Sequence, residues 1–366
     1  MNYWIIVVLI LILTIIPRLG LILSKKFGII EHKKRADYYK RIPVPTAQWI
    51  WLRITLLLCI AVLWREFIDN TYLLIYIGAG TLLALLSGID LFRPIPSWIR
   101  LLIQLALFWV IVVYGGISID TVRVIGNDIP IQSRVGIIGS IIWFGLCTNA
   151  VNRFDGIQWQ SSGVTSVGAF ALWAVVSFIV FPSYENLTPD ILNQLQITKI
   201  IAFSLGLVAL VYTYIEYKPL GLIRDIWTTI YGFSLAYLAL LGWAKVGILV
   251  VTLSLVMFDA IRVTINRVFI LKKNPFKGDY THLHHRLIAN GRSRSEIRRF
   301  VWIRSFVMTV LMILQWTSSF NKRIILIMMA LLFFGVNIYL FWIKKLPTEM
   351  KVDFSTDEVE DLKMEI

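Results

Sequence analysis

The sequence predicts an all-α, polytopic membrane protein with about eleven transmembrane helices and one short β-hairpin outside the membrane. Three observations support this fold class. Of the 366 residues, 58% are hydrophobic and only 16% are charged, whereas a soluble domain carries about 25% charged residues. The apolar residues form blocks close to the ~20 residues that a membrane-spanning helix needs. The basic residues lie between these blocks, which is the pattern of the positive-inside rule.

The first apolar block is MNYWIIVVLILILTIIPRLGLIL. It is too long for the apolar region of a signal peptide, and no small-residue cleavage site follows, so we interpret it as a retained span. Ten further blocks follow it. The expected spans are approximately 3–23, 47–64, 71–88, 98–116, 134–148, 164–181, 198–215, 226–243, 246–270, 300–318 and 322–344.

One segment departs from this pattern. ISIDTVRVIGNDIPIQ, residues 117–132, alternates β-branched and polar residues around Gly126, Asn127 and Asp128. Alternation on both sides of a Gly-Asn-Asp turn predicts a β-hairpin outside the membrane.

The distribution of Lys and Arg predicts the orientation. With the N-terminus outside, roughly 24 Lys and Arg lie in or beside the cytoplasmic connections and roughly 5 in the opposite set. We expect one integral domain, 1–345, in the plasma (inner) membrane, and an acidic, flexible cytoplasmic tail, 346–366. A cleft facing the cytoplasm is expected, with the hairpin on the opposite side. The cytoplasmic connections that would form the cleft are 24–46, 89–97, 149–163, 216–225 and 271–299.

Polar groups from several distant segments reach this cytoplasmic side. Ionisable groups near the bilayer are costly, and by default they mark a functional site. The residues concerned are Asp90, Asn152, Asp155, Asp225, Asp259, His282, His284 and His285.

The stretch TNAVNRFDGIQW places Asn149, Asn152 and Asp155 three residues apart. On a continuing helix these positions share one face. Amide and carboxylate oxygens there suit a hydrated Mg²⁺ or a phosphate-bearing substrate. A helix cap followed by a turn at Asp155-Gly156 is the structural alternative.

The stretch THLHHRL, residues 281–287, holds three of the four histidines of the chain beside Arg286. A metal site, a phosphate site and a solvated loop are all compatible with this composition. Cys59 and Cys147 lie inside apolar runs and are interpreted as core residues, so no cysteine-based metal site is expected.

Two blocks resemble one membrane enzyme family. NAVNRFDG is similar to the family pattern TNAxNLxDGLDGL, and DAIRVTINRVFILKKNPFKGDYTHLHHRL is similar to DTLRVMIRR…SPF…DHLHHRL. Weaker blocks follow the same order: IPVPTAQW at 42–49, GIDLFRPIPSW at 88–98 and RDIWTTIYG at 224–232. On these motifs, the chain resembles the polyprenyl-phosphate N-acetylhexosamine-1-phosphate transferases of glycosyltransferase family 4.

The resemblance implies transfer of a sugar 1-phosphate from a UDP-sugar to undecaprenyl or another polyprenyl phosphate, with release of UMP. Members of the family begin the synthesis of peptidoglycan, O-antigen and related cell-wall and surface glycans. Mg²⁺ is the implied cofactor, with Mn²⁺ as a substitute. The implied partners are the lipid phosphate, the UDP-sugar and the membrane, without nucleic acid, and a second copy of the chain is a further candidate.

Residue roles follow from the same resemblance. The positions that match catalytic groups are Asp90, Asn152 and Asp155, and those that match metal ligands are Asp90, Asp155 and Asp225. The positions that match substrate-binding groups are Asn149, His282, His284, His285 and Arg286. Asp90 and Asp225 are also suited to capping helices. Asp259 is expected to pair with Arg262, three residues along a helix.

The chain departs from the family at two acids and at several glycines, three of which are replaced by tryptophan. Leu91 and Gln158 stand where the family has Asp, and Trp49, Trp159 and Trp227 stand where it has Gly. An indole occupies space that a glycine leaves open to a ligand, or offers a stacking face.

The sequence is compatible with three hypotheses. A working transferase could use a reduced metal set, because Mg²⁺ often binds with one or two carboxylates. A catalytically impaired member would bind lipid phosphate or partner proteins. A transporter would instead place its polar groups near the middle of the membrane.

Overall fold

The computed structural model describes residues 3–29, 48–63, 70–93, 95–124, 127–155, 160–180, 188–217, 224–241, 246–272, 282–317 and 322–342. These ranges are almost entirely helical. The helices are α1 (Tyr3–Lys26), α2 (Gln48–Leu63), α3 (Thr71–Phe92), α4 (Ser97–Tyr114), α5 (Ser133–Arg153), α6 (Gln160–Val175), α7 (Pro189–Tyr217), α8 (Arg224–Leu240), α9 (Val246–Thr252), α10 (Ser254–Ile265), α11 (Leu283–Ala289), α12 (Arg294–Thr317) and α13 (Lys322–Trp342). π-Helical turns at Val176–Val180 and Asn266–Ile270 extend α6 and α10.

The apolar helices support a polytopic membrane protein. Within the described ranges, six helices are long and apolar enough to cross a membrane, or seven if α9 and α10 with its π-turn form one span. Gln48–Leu63 and Ile226–Leu240 are apolar but shorter. The count of about eleven spans therefore stays a prediction. The acidic tail 346–366 lies outside the described residues.

The expected single span 246–270 is broken. α9 and α10 meet at Leu253 with a bend of 76°. Side chains at the break hold it: the Ser254 hydroxyl donates to the carbonyl of Val251 (2.8 Å), and the hydroxyls of Thr252 and Thr309 are 2.7 Å apart. Ser and Thr hydroxyls can replace hydrogen bonds of the helix backbone and so interrupt a helix. A hydropathy pattern counts only apolar character, so it does not reveal this break.

α8 is the central helix of the bundle. Its sequence is apolar on nearly all sides, as expected of a helix surrounded by others, and it packs on α2, α3, α5, α6, α7 and α9. A stack of aromatic rings joins α3, α4, α5 and α8. The rings are those of Tyr76, Phe108, Phe144, Phe233 and Tyr237.

Hydrogen bonds show that α3 and α5 both run antiparallel to α8. At the start of α3, the carbonyl of Tyr72 accepts from the Tyr237 hydroxyl (2.6 Å), near the end of α8. In α5, the Trp143 indole donates to the carbonyl of Ala236 (3.2 Å), whereas Asn152 meets the beginning of α8. The carboxyl ends of α3 and α5 therefore lie at the same end of the bundle as the amino end of α8.

Two short strands lie between α4 and α5. β1 (Thr121–Val124) pairs antiparallel with β2 (Asn127–Pro130), with Thr121 opposite Pro130 and Val124 opposite Asn127. The amide of Ile119 donates to the Ser140 hydroxyl of α5 (2.9 Å). These strands thus adjoin the amino end of α5, far along that helix from Asn152.

Candidate active site

The first group of candidate residues lies where α5 ends beside the start of α8. The Asn152 side-chain amide donates to the hydroxyls of Thr228 (2.9 Å) and Thr229 (3.0 Å). Asp225 belongs to the first turn of α8, three residues before Thr228; its side chain lies outside the described residues. The Asn152 contact therefore brings the end of α5 and the start of the Asp225 helix together.

Asp155 does not continue the face of Asn149 and Asn152. α5 ends at Arg153, where Phe154 caps it by donating its amide to the carbonyl of Ala150 (3.0 Å). Asp155 lies in the following turn, and its carboxylate accepts a hydrogen bond from the Ser161 hydroxyl of α6. Of the two interpretations of this stretch, the structure has the turn and not the continuous helical face, because the helix terminates before Asp155.

Asn149 is used mainly for helix packing. Its amide nitrogen donates to the side-chain oxygen of Gln104 on α4 (3.0 Å) and to the carbonyl of Gly145 (2.9 Å). These contacts hold α4 against α5, and they direct the donors of Asn149 toward protein. The carbonyl oxygen of its side chain is what it can offer to a ligand.

Asp90 lies in the last turn of α3 and joins it to α4. One carboxylate oxygen accepts from the amide of Ile95 (2.7 Å), and the other pairs with Arg100 of α4. A fifth of the Asp90 side chain stays exposed. α4 begins after Pro96 without a side-chain cap, so the suggested capping of this helix by Asp90 is not seen. Asp90 instead joins α3 to α4, and Arg100 offsets its charge.

The second group surrounds the buried carboxylate of Asp259 in α10. One oxygen accepts from Arg262 (2.8 Å) and from the amide of Leu283 (3.0 Å). The other lies 2.9 Å from Nδ1 of His282. The expected pair with Arg262 is present, and the same carboxylate anchors the start of the histidine segment.

The three histidine rings form a contiguous group. His282 and His284 are nearly parallel, with ring centroids 5.9 Å apart, and His284 and His285 lie 4.1 Å apart. Burial lowers the pKa of His284 well below its usual value, and the neighbouring basic groups of His285, His282 and Arg294 act in the same direction, whereas Asp259 opposes them. His284 is consequently a neutral imidazole near pH 7.

Arg286 adds a buried cation to this group. Burial lowers its pKa, the neighbouring Arg262 acts in the same direction, and Asp259 opposes both. Even a lowered arginine pKa leaves the guanidinium charged near neutral pH. Arg294, at the start of α12, is also buried. The histidine segment is thus an electropositive region, which suits a phosphate-bearing ligand.

Packing links the two groups at one end of the bundle. α10 packs on α5, and α11, which carries the histidines, packs on α12. The Trp302 indole of α12 donates to the carbonyl of Gln160 (3.4 Å), five residues past Asp155. The histidine segment and the end of α5 therefore lie at the same end of the bundle.

The described side chains provide only some of the metal ligands that the sequence predicts. Among them, no group of three or more His, Cys, Asp or Glu residues is arranged to hold a metal ion. Asp155 and the start of the Asp225 helix are neighbours through Asn152, which fits the one or two carboxylates that Mg²⁺ commonly uses. Asp90 already has Arg100 as a partner. The three-Asp metal set stays a prediction.

The structure shows how one of the three tryptophans is used. Trp227 is fully buried in α8, with its ring edge-on to Tyr231 at a centroid distance of 5.7 Å and an angle of 73°. This indole fills space and offers no open face for stacking. Trp49 is half-buried against the core. Gln158, Trp159 and the Leu91 side chain lie outside the described residues.

Several residues of the site were not found by sequence reasoning. Thr228 and Thr229 bind Asn152, Arg100 binds Asp90, and the Ser162 hydroxyl donates to the buried carboxylate of Glu216 (2.7 Å) at the end of α7. The sequence does distinguish Glu216, because an acidic residue at the end of a long apolar run indicates a functional position. The sequence does not distinguish Thr228 and Thr229, because threonine is common in apolar helices.

Similarity to known proteins covers the part of the chain that contains the first group of candidate residues. Residues 73–243 match the model of glycosyl transferase family 4. This range runs from α3 to just past α8 and contains Asp90, Asn149, Asn152, Asp155 and Asp225; it ends before the histidine segment.

The chain is also similar to a probable undecaprenyl-phosphate N-acetylglucosaminyl 1-phosphate transferase of Bacillus subtilis (strain 168). The two are 26% identical over 210 residues, which is 53% of this chain and 53% of the relative. The similarity thus spans about half the length of each protein. From α3 to just past α8, the chain is thus similar to glycosyl transferase family 4.

Proposed function

We propose that this protein transfers a sugar 1-phosphate of the N-acetylhexosamine type from a UDP-sugar to undecaprenyl or another polyprenyl phosphate. An oxygen of the lipid phosphate attacks the β-phosphorus of the UDP-sugar. The bond from that phosphorus to the bridging oxygen breaks, and UMP leaves with the bridging oxygen. The observation that carries the proposal is the meeting of α5 and α8, inside the family match, at the bundle end that also bears the histidine segment.

The residues support this reaction through position and charge. Asn152 holds the end of α5 against the first turns of α8, and so holds Asp155 and Asp225 on adjoining segments. These two carboxylates would hold Mg²⁺, which supplies charge stabilisation for the diphosphate and its leaving group when bound. Arg286 and the histidines would contact the phosphates of the donor, because guanidinium and imidazole groups suit phosphate oxygens. We place the reaction on the cytoplasmic face of the plasma membrane.

A second candidate function is binding of a lipid phosphate without turnover. Two observations favour it: Asp90 is neutralised by Arg100, and the Trp227 indole fills space beside the start of α8. In that case the electropositive histidine segment would bind phosphate, and the reduced acid set would not support transfer.

A direct assay separates the two functions. The purified protein is incubated with Mg²⁺, undecaprenyl phosphate and a panel of UDP-N-acetylhexosamines, and released UMP is measured. We expect release by the native chain and a loss of about a hundredfold or more in Asp155→Asn. Asp120→Asn, an exposed acid beside the β-strands that bonds to Ser118, is the matched control.

The result can contradict the proposal. If no donor yields UMP above the Asp155→Asn background, the transferase function is wrong. UMP release that appears only after both Leu91→Asp and Gln158→Asp would support the catalytically impaired alternative.

A further inference from the structure

The two carboxylate oxygens of Asp259 have different hydrogen-bond partners. One oxygen accepts two hydrogen bonds, from the Leu283 amide (3.0 Å) and from Arg262 (2.8 Å). The second oxygen faces Nδ1 of His282 at 2.9 Å. Two donors on the first oxygen fix the rotation of the carboxylate, so the second oxygen is held toward the imidazole.

This contact determines which ring nitrogen of His282 carries the proton. An ionised carboxylate only accepts hydrogen bonds, so Nδ1 must be the donor. In the neutral ring, Nε2 is then unprotonated and can accept a proton. A tenth of the His282 side chain remains exposed, and Nε2 is the ring nitrogen that the Asp259 contact leaves for a ligand.

We propose that Asp259 is a positioning residue that fixes the tautomer of His282 so that Nε2 accepts the proton of a phosphate monoester. This inference rests on the proposed transferase function. The second ionisation of a phosphate monoester has a pKa of about 6, so protonated and unprotonated forms coexist near neutrality. The phosphate O–H bond breaks and an Nε2–H bond forms. The resulting dianion is the better nucleophile, and Asp259 stabilises the imidazolium.

The surroundings of His282 leave Asp259 as the group suited to this task. Among the residues that the structure describes, the other titratable and charged groups that act on the histidine segment are histidines and arginines. They are His284 and His285 on the same helix, Arg262 on α10, Arg286 on α11 and Arg294 on α12. Cations also attract the phosphate, but none of them can hold Nδ1 in the protonated state.

The substitution Asp259→Asn should invert the tautomer without changing the shape of the side chain. The amide oxygen is expected to take the position that accepts from Leu283 and Arg262, because that position requires an acceptor. The amide nitrogen then faces Nδ1 of His282 and donates to it. The imidazole proton moves to Nε2, and Nε2 can no longer accept the proton of a phosphate.

Nitrogen NMR of protein labelled at histidine tests the tautomer without substrate. The chain has four histidines, so the spectrum is small, and His282→Asn identifies the signals of His282. We expect the neutral His282 ring to be protonated at Nδ1 in the native chain and at Nε2 in Asp259→Asn. Asp190→Asn, which alters an exposed acid bound to Tyr72 at the opposite end of α3, should leave the spectrum unchanged. Protonation of His282 at Nε2 in the native chain overturns the proposal.

UMP release tests the consequence. Asp259→Asn should lower kcat several-fold below about pH 6, where the phosphate monoester is protonated, and progressively less above pH 7, with KM for both substrates changed only a few-fold. His282→Asn should have a similar effect, since its amide can still donate to Asp259 while Nε2 is lost. The double variant should lose little more, because the two residues act as a unit.

The outcomes distinguish the two proposals. A native kcat in folded Asp259→Asn below pH 6, or a change confined to KM, refutes the role of Asp259 and leaves the transferase function standing. Absence of UMP release from the native chain refutes the transferase function and proton acceptance together. Thermal unfolding of each variant in the same lipid separates these results from a failure to fold.

Discussion

Gly232 of α8 lies directly against the backbone of Cys147 in α5. A Cβ built on Gly232 would come within 2.5 Å of the Cys147 carbonyl oxygen and within 2.7 Å of the Thr148 Cα. The helices therefore touch through their backbones at this point, an approach that small residues allow in membrane bundles. One turn nearer the site, the same crossing brings Asn152 to Thr228 and Thr229.

Gly232→Ala should separate α5 from α8. The contacted atoms belong to the backbone and cannot rotate away, so we expect a loss of about 1–3 kcal/mol in the free energy of unfolding and a fall in UMP release. Thermal unfolding in lipid and the transferase assay measure the two effects. Gly78→Ala in α3, where a Cβ would meet open space, is the control. Equal stability of the two variants would show that the crossing tolerates a methyl group.

Asn152→Ala should loosen the junction between α5 and α8 without a steric clash. Two hydrogen bonds are lost, each with a net contribution of about 1 kcal/mol. We expect a modest decrease in unfolding temperature and at least a tenfold decrease in UMP release, because Asp155 follows Asn152 in the chain. Thr228→Val with Thr229→Val removes the same contacts from the other side. If the two sets of changes differ strongly in activity, Asn152 contacts substrate as well as α8.

Removal of divalent metal should abolish UMP release, and Mg²⁺ or Mn²⁺ should restore it. Charge on the diphosphate and on the leaving phosphate needs a counter-ion, and Asp155 is expected to hold it. Asp155→Asn should raise the Mg²⁺ concentration needed for half-maximal activity. Full activity in excess chelator would contradict the predicted cofactor.

The ion pair of Asp90 with Arg100 gives a separate test of the metal set. Arg100→Gln removes the counter-charge of Asp90, so Mg²⁺ should act at a lower concentration if Asp90 is a ligand. The stability cost should be small, about 1 kcal/mol or less, because both side chains are partly exposed. An unchanged Mg²⁺ response, together with native activity in Asp90→Asn, would restrict Asp90 to joining α3 and α4.

The stability of the histidine segment should depend on pH through His284. Burial lowers the pKa of this imidazole in the folded state, and neighbouring positive charges add to the effect. The unfolded chain, with a histidine pKa of about 6.5, then binds more protons than the folded chain below that pH. Stability should accordingly fall as the pH decreases below about 6.5 toward the lowered folded pKa.

The variant His284→Gln identifies this contribution. It removes the titrating group, so its unfolding temperature should decrease less between pH 7 and pH 5 than that of the native chain. Parallel curves for the two proteins would assign the pH dependence to other groups.

Hydropathy alone was sufficient to predict much of the helical architecture. An apolar block such as that of α1 can be recognised from its own sequence. In the bilayer, each spanning helix forms its backbone hydrogen bonds within itself, so no other segment has to be known. Local pattern also predicted the pair of Asp259 and Arg262, whose spacing of three residues is a helix property. The motifs around Asn152 and Asp155 lie inside the range that matches the family.

The sequence by itself therefore determined the class of protein and the segments that bear its polar groups. Only the tertiary structure decided the partners: Thr228 for Asn152, Arg100 for Asp90 and His282 for Asp259. It also decided that α5 stops before Asp155 and that the chain bends at Leu253. Hydrophobicity and helix periodicity are properties of neighbouring residues, so they can be read directly from the sequence. A hydrogen bond between distant segments depends on how their helices cross, which here is set by contacts such as that of Gly232 with Cys147.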